Sequence, residues 1–172
     1  VVSGGELFTA IKAGFPAERI HFHGNNKSIA ELELAFDTKI GCIVVDTFYE
    51  ITAIKEIAQS KNQKMNILLR VTPGVEAHTH DFITTGQADS QFGFDLNNGQ
   101  ADEAFKQVVN DEFINLLGLH CHIGSQIFET EGFSLAAGKV MQKMGAWKEQ
   151  HGFEATVLNL GGGFGIRYTE ED

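Results

Sequence analysis

The chain has 172 residues and a net charge of −10, and 42% of it is hydrophobic with only two prolines, which fits one compact domain with a proper core and excludes a disordered chain. With 13 Lys and Arg against 23 Asp and Glu and no basic cluster, neither nucleic acid nor an anionic membrane is expected as partner, and a small molecule is. No signal peptide and no apolar run of membrane-spanning length is visible, so the cytoplasm is the default location.

In chain order, a first helix is opened by a capping box, Ser3 with Glu6, carries Leu7 and Ile11 on one face, and is closed by Gly14 and Pro16. A strand is expected at 20–23, running into His23-Gly24-Asn25-Asn26-Lys27. A second capping box, Ser28 with Glu31, then starts another helix. The strand expected at 42–45 ends in Asp46-Thr47, where Thr47 with Glu50 makes a third box ahead of the stripe Ile51, Ile54 and Ile57. Residues 66–71 read as a strand carrying Arg70 near its end. Residues 72–98 show no strong period and contain Pro73, Gly74, Gly86 and Gly93, which suggests a long binding loop or lid. Ala101, Ala104, Phe105 and Val108 mark a further helix, and strands follow at 116–122 and 156–160.

Short β-rich runs alternating with amphipathic helices are the pattern of βα units on a parallel sheet or barrel. The polar residues gather where those strands end: His23 to Lys27, Asp46-Thr47, Arg70, His120-Cys121-His122-Ile123-Gly124-Ser125-Gln126, and Asn159. In a parallel barrel that rim is the ligand-binding end, and residues two apart on a strand, such as His120 and His122, face the same side.

Gly161-Gly162-Gly163-Phe164-Gly165 follows the last strand directly. Without Cβ atoms, backbone N–H groups there can close on an anion such as a phosphate, although the same run also makes an ordinary tight turn. A dinucleotide fingerprint would require glycine where Ile166 stands, and the Gly-Lys-Ser/Thr ending of a nucleotide P-loop is absent.

Three His-x-His pairs, His21/His23, His78/His80 and His120/His122, could hold a catalytic metal, but only Asp46 and Asp81 offer carboxylates nearby, and we assign no metal ligands. Arg70 inside a barrel must meet an anion, from a ligand or from a structural ion pair. Lys27 is the only lysine at a strand-end motif; a covalent role is conceivable, but a lysine beside a capping box is more often solvated. Cys42 and Cys121 lie in apolar runs far apart in sequence, as buried free thiols of a reducing compartment do.

At His120-Cys121-His122-Ile123-Gly124-Ser125-Gln126 and Asn159-Leu160-Gly161-Gly162-Gly163-Phe164-Gly165-Ile166 the sequence resembles the diaminopimelate decarboxylase family. Val2-Ser3-Gly4-Gly5-Glu6-Leu7, Phe22-His23-Gly24-Asn25-Asn26-Lys27-Ser28, Leu69-Arg70-Val71 with Pro73-Gly74-Val75, His78-Thr79-His80, and Thr85-Gly86 ahead of Asp89-Ser90 extend the likeness over nearly the whole chain. The resemblance implies an α/β fold, an incomplete parallel (β/α)8 barrel of the alanine-racemase type, with pyridoxal 5′-phosphate as cofactor, meso-diaminopimelate as substrate and a homodimeric parent enzyme. It implies that His122 stacks on the cofactor ring, and that Ser125 and the N–H groups around Gly162 and Gly163 hold the phosphate. Glu6, His23, Asn25 and Arg70 would line the rim. The chemistry implied is electron-sink decarboxylation, in which the carbanion left by loss of CO2 is delocalised into the pyridinium ring.

The family's cofactor-binding lysine belongs to a Tyr-Ala-x-Lys-Ala-Asn strand that would precede Val1. Its pyridinium-pairing acid, substrate arginines and catalytic cysteine would follow Asp172. On that reading residues 1–172 are the central part of the barrel domain, roughly five of eight βα units, with no second domain and no decarboxylase activity of their own. Gln91 stands where related sequences carry a basic residue. Rival readings are an ornithine or arginine decarboxylase, a metal-dependent barrel hydrolase and a non-catalytic cofactor-binding barrel.

Overall fold

A computed structural model describes residues 1–75 and 92–167. The chain runs α1 (Gly4–Lys12), β1 (His21–Phe22), α2 (Ile29–Asp37), β2 (Cys42–Val45), α3 (Phe48–Lys61), β3 (Met65–Thr72), β4 (Phe94–Asp95), α4 (Gln100–Val108), β5 (Ile114–His120), α5 (Glu131–His151) and β6 (Val157–Asn159). The sheet is parallel with order β1-β2-β3-β5-β6, and β4 pairs in parallel with the end of β3. This is the parallel α/β sheet expected from the alternating pattern, and the incomplete barrel that the resemblance implies.

The three capping boxes nucleate their helices, since Ser3, Ser28 and Thr47 each accept the N–H of the glutamate three residues on. Only Ser28/Glu31 is reciprocal. Glu6 turns instead to the Val2 N–H at 2.7 Å, and Glu50 to the Asp46 N–H at 2.6 Å.

Residue parity along each strand divides two apolar layers. Ile43, Val45, Ile67, Leu69 and Val71 pack outward under the helices in the main core. Cys42, Val44 and Leu68 point to the concave side of the sheet, where Leu117 and Val157 join them. Both cysteines are buried free thiols, with Cys42 raised to about 12 and Cys121 to about 11 by loss of water, so neither is a nucleophile at neutral pH.

Two elements depart from expectation. Residues 72–98, expected as one loop, contain β4, whose Phe94 is fully covered; residues 76–91, with His78, His80, Asp81 and Gln91, lie outside the described residues. Helix α5 was not foreseen, because Thr130 makes no side-chain cap bond and Gly138 and Gly145 weaken the helix by about 1 kcal/mol each. Tertiary packing overrides that: Trp147 stacks on Phe105 of α4 at 4.2 Å, and its Nε1–H donates to Asp102 at 2.6 Å. No helix among the described residues is long and apolar enough to cross a membrane.

Candidate cofactor-binding site

A cleft of about 530 Å³ opens at the C-terminal ends of the strands, lined by His23, Arg70, Phe92, His120, His122 and Asn159 together with Val2, Gly24, Gly161 and Gly162. Strand parity explains most of this lining. On β2 and β3, Asp46 and Arg70 continue the inward rows of Val44 and Leu68, so the polar ends of two apolar rows meet at the rim.

On β5 the rows are switched by a bulge. Ile67 pairs with Leu116 but Leu68 pairs with Gly118, so Leu117 is an extra residue. Leu116 faces the helices, yet beyond the bulge Leu119 and Cys121 do so, which turns His120 and His122 to the concave side. Only glycine fits at 118, where a Cβ would lie 2.0 Å from the Val157 carbonyl oxygen.

His120 is 3% exposed and meets His23 edge-on at 4.7 Å between ring centres. Its Nδ1 has no hydrogen-bond partner among the described residues. Burial is the largest cause that pushes His23 down from the ordinary 6.5 to about 3 and His120 to about 4. His122, beyond the end of β5, is lowered too, first by desolvation and then by Arg70. All three rings are therefore neutral at pH 7.

This has a consequence for stability. Between pH 6.5 and about 4 the unfolded chain binds protons at His23 and His120 that the folded chain refuses, so stability rises with pH across that window and is lost as pH falls through it. Urea midpoints taken from pH 7.5 to 4.5 are expected to fall steadily, and a His23→Gln, His120→Gln double variant to flatten the slope. An unchanged slope in that variant would remove the two rings as its cause.

Arg70 meets an internal carboxylate: its Nη1 lies 3.0 Å from Asp46 Oδ2, and the guanidinium sits over the Phe92 ring at 4.7 Å. The other Asp46 oxygen accepts the Gly93 N–H at 2.5 Å. Asp46 is thus held by an arginine and a backbone amide, and among the described residues no three His, Cys, Asp or Glu groups converge as metal ligands.

The glycine run packs on the turn after β5. Ile127 N–H donates to Gly163 O at 2.9 Å and Gly165 N–H to Ile127 O at 2.8 Å, while Asn159 Oδ1 accepts the Gly161 N–H at 2.8 Å. Gly162 N–H reaches His122 Nδ1 at 3.4 Å. Gly163 has φ +93°, and a Cβ there would lie 1.8 Å from Gly124 O. Ser125, the next residue, is exposed at the same turn.

The structure therefore brings His23, Arg70, His122, Gly162, Gly163 and Ser125 to one end of the sheet. Asn25 is half-buried on the loop after β1, outside the cleft lining. Glu6 is exposed in the cap of α1 on the Val2 N–H and does not line the cleft. Sequence reasoning missed Phe92, weighed His120 and Asp46 only as metal ligands, and placed Asn159 on the rim without a specific role; the Asn-x-Gly spacing of 159–161, which makes a local side-chain turn, was the signal for Asn159.

Lys27 is a correction. It is 4% exposed rather than solvated, and its Nζ pairs with Glu50 at 2.7 Å while donating to Val44 O at 2.9 Å and to Gly24 O. The return arm of the Thr47 cap, Glu50, is what draws it inward, because Glu50 itself is 2% exposed and needs a cation.

A parallel half-barrel with a glycine loop and neutral imidazoles around a cleft at the C-terminal ends of its strands has the architecture of a ligand-binding α/β barrel. The chain belongs to the family described as pyridoxal-dependent decarboxylase, pyridoxal binding domain, whose model matches residues 1–172. It is 63% identical to the diaminopimelate decarboxylase of Bacillus subtilis and 65% identical to that of Bacillus methanolicus, matching over the whole chain and over 39% and 40% of those proteins. The crystal structure of diaminopimelate decarboxylase from M. jannaschii with L-lysine superposes with a TM-score of 0.90 at 37% identity, covering all of this chain and 39% of that one. The chain thus spans about two fifths of the length of these relatives.

Proposed function

We propose that residues 1–172 form the part of a meso-diaminopimelate decarboxylase that seats pyridoxal 5′-phosphate, in an enzyme that releases CO2 and yields L-lysine. The observation that carries this reading is the docking of the glycine loop on the 122–127 turn through Gly163, which brings the loop beside His122 and Ser125.

The residues fit the cofactor. The Ser125 hydroxyl and the N–H groups around Gly162 and Gly163 would hold its phosphate, backbone donors near a dianion being favourable where no Cβ intervenes. His122 would stack on the ring, and because it is neutral it brings no positive charge against a pyridinium. Arg70, with Nη1 committed to Asp46 and no other side-chain hydrogen bond among the described residues, would meet an anionic oxygen of the ligand. His23 and Asn25 would complete the rim, and Glu6 would shape it by fixing Val2, which lines the cleft. When bound, the cofactor supplies the electron sink that stabilises the carbanion left by CO2 loss.

The whole enzyme we read as a cytoplasmic homodimer, in line with the resemblance and with two buried free thiols. The net charge of −10 supports a small-molecule partner over nucleic acid or membrane.

Titration of the chain with pyridoxal 5′-phosphate is expected to give a saturable change in the cofactor's absorbance, and Ser125→Ala to weaken it about tenfold by removing one hydrogen bond to a charged group. Borohydride treatment should leave Lys27 unmodified, since its ammonium is buried and ion-paired. Absence of saturable binding at millimolar cofactor would overturn the reading of the site.

A further inference from the structure

We propose that Lys27 and Glu50 are a positioning pair that acts through Asp46 on Arg70, aiming the guanidinium at the anionic group of the ligand in the cleft. The inference rests on the reading of the cleft given above.

Neither residue lines the cleft, and both are almost fully buried, at 4% and 2% exposed. A buried ion pair of this kind must recover the cost of desolvating both partners through further contacts. Lys27 does so by donating to Val44 O and Gly24 O, while its Nζ lies 2.7 Å from Glu50 Oε1 as an ion pair; that oxygen accepts no hydrogen bond among the described residues. Glu50 accepts the Asp46 N–H at its second oxygen, Oε2, at 2.6 Å. That contact departs from an ordinary cap, in which the glutamate would return to the N–H of Thr47 itself.

The displaced contact fixes the main chain of Asp46, whose side chain then carries the orientation onward. Oδ2 takes Arg70 Nη1 at 3.0 Å and Oδ1 takes the Gly93 N–H, while Phe92, one residue before Gly93, lies under the guanidinium at 4.7 Å. Arg70 is thereby held at one edge and on one face, and among the described residues the rest of its fork makes no other hydrogen bond. The charges alternate in two neutral pairs, Lys27 with Glu50 and Asp46 with Arg70. Without Lys27, Glu50 becomes an unpaired buried anion next to Asp46, and its hold on the Asp46 N–H is disturbed.

The test uses the whole chain in three variants, Lys27→Met, Glu50→Gln and the remote Trp147→Phe, with folding checked by circular dichroism. The readouts are the nitrogen-15 resonance of Arg70 Nε–H, assigned with Arg70→Lys, and the affinity for pyridoxal 5′-phosphate. Lys27→Met and Glu50→Gln are expected to shift the Arg70 resonance and weaken binding about tenfold, the scale of one charge-assisted hydrogen bond. Trp147→Phe should move neither. If Lys27→Met does not fold, Glu50→Gln alone decides. An unmoved Arg70 resonance in folded Glu50→Gln overturns the proposal. If the unaltered chain fails to bind the cofactor, the proposed function fails, and the Arg70 resonance still decides the positioning role.

Discussion

Gly163→Ala is expected to abolish measurable binding of pyridoxal 5′-phosphate, whereas Gly162→Ala, one residue away, leaves it within about threefold, a change worth well under 1 kcal/mol. The two glycines differ in geometry rather than in chemistry. At 163 the backbone has φ +93°, which side-chain-bearing residues rarely adopt, and a Cβ would overlap the Gly124 carbonyl oxygen at 1.8 Å. At 162 nothing lies within 4 Å of the added atom. The strained conformation alone costs on the order of 1–3 kcal/mol, and the overlap can be relieved only by moving the glycine loop off the 122–127 turn. That movement breaks the Ile127 N–H to Gly163 O bond and separates the loop from Ser125 and His122. Cofactor titrations of the two variants side by side make the measurement, and equal affinities would show that the close packing of Gly163 is dispensable.

Trp147→Ala is expected to lower the unfolding free energy by about 3–5 kcal/mol, a range typical of removing a buried aromatic ring. Trp147 is 1% exposed, stacks on Phe105 at 4.2 Å, and meets Phe153 edge-on at 6.4 Å. Its Nε1–H also satisfies Asp102 Oδ1, whose other oxygen pairs with Lys143 at 2.9 Å. Trp147→Phe retains most of the stack but drops the N–H, so a smaller loss of about 1–2 kcal/mol is expected. Urea denaturation gives both values. A loss under 1 kcal/mol for Trp147→Ala would mean that α5 is not anchored through this ring.

Much of the fold was legible because its signals are local. The capping boxes at Ser3, Ser28 and Thr47 start α1, α2 and α3 where expected, and the four apolar residues that marked α4 are the four it buries. Strand ends were less so. The run expected at 116–122 is a strand only over Ile114–His120, since the turn that packs on the glycine loop begins at once. The site was legible in outline from the same ordering, as the polar residues after each strand do share one rim. Glu50 shows the limit: its spacing from Thr47 announces a cap, and nothing local says that its carboxylate goes to Lys27 and Asp46.

The sequence by itself determined the alternation of strands and helices, the clustering of polar groups at the strand ends and the glycine run that follows β6, because each depends on neighbours within a few residues. It also determined that His120 and His122 face one side together, since that follows from the period of two. Which side they face was decided only by tertiary structure. The register shift at Leu117 turns them into the cleft, and it exists because β5 must pair with β3 on one flank and lie against Val157 at Gly118 on the other. Lys27 was settled in the same way, drawn inside by a glutamate 23 positions along the chain, because the energy of a buried charge depends on what surrounds it in space.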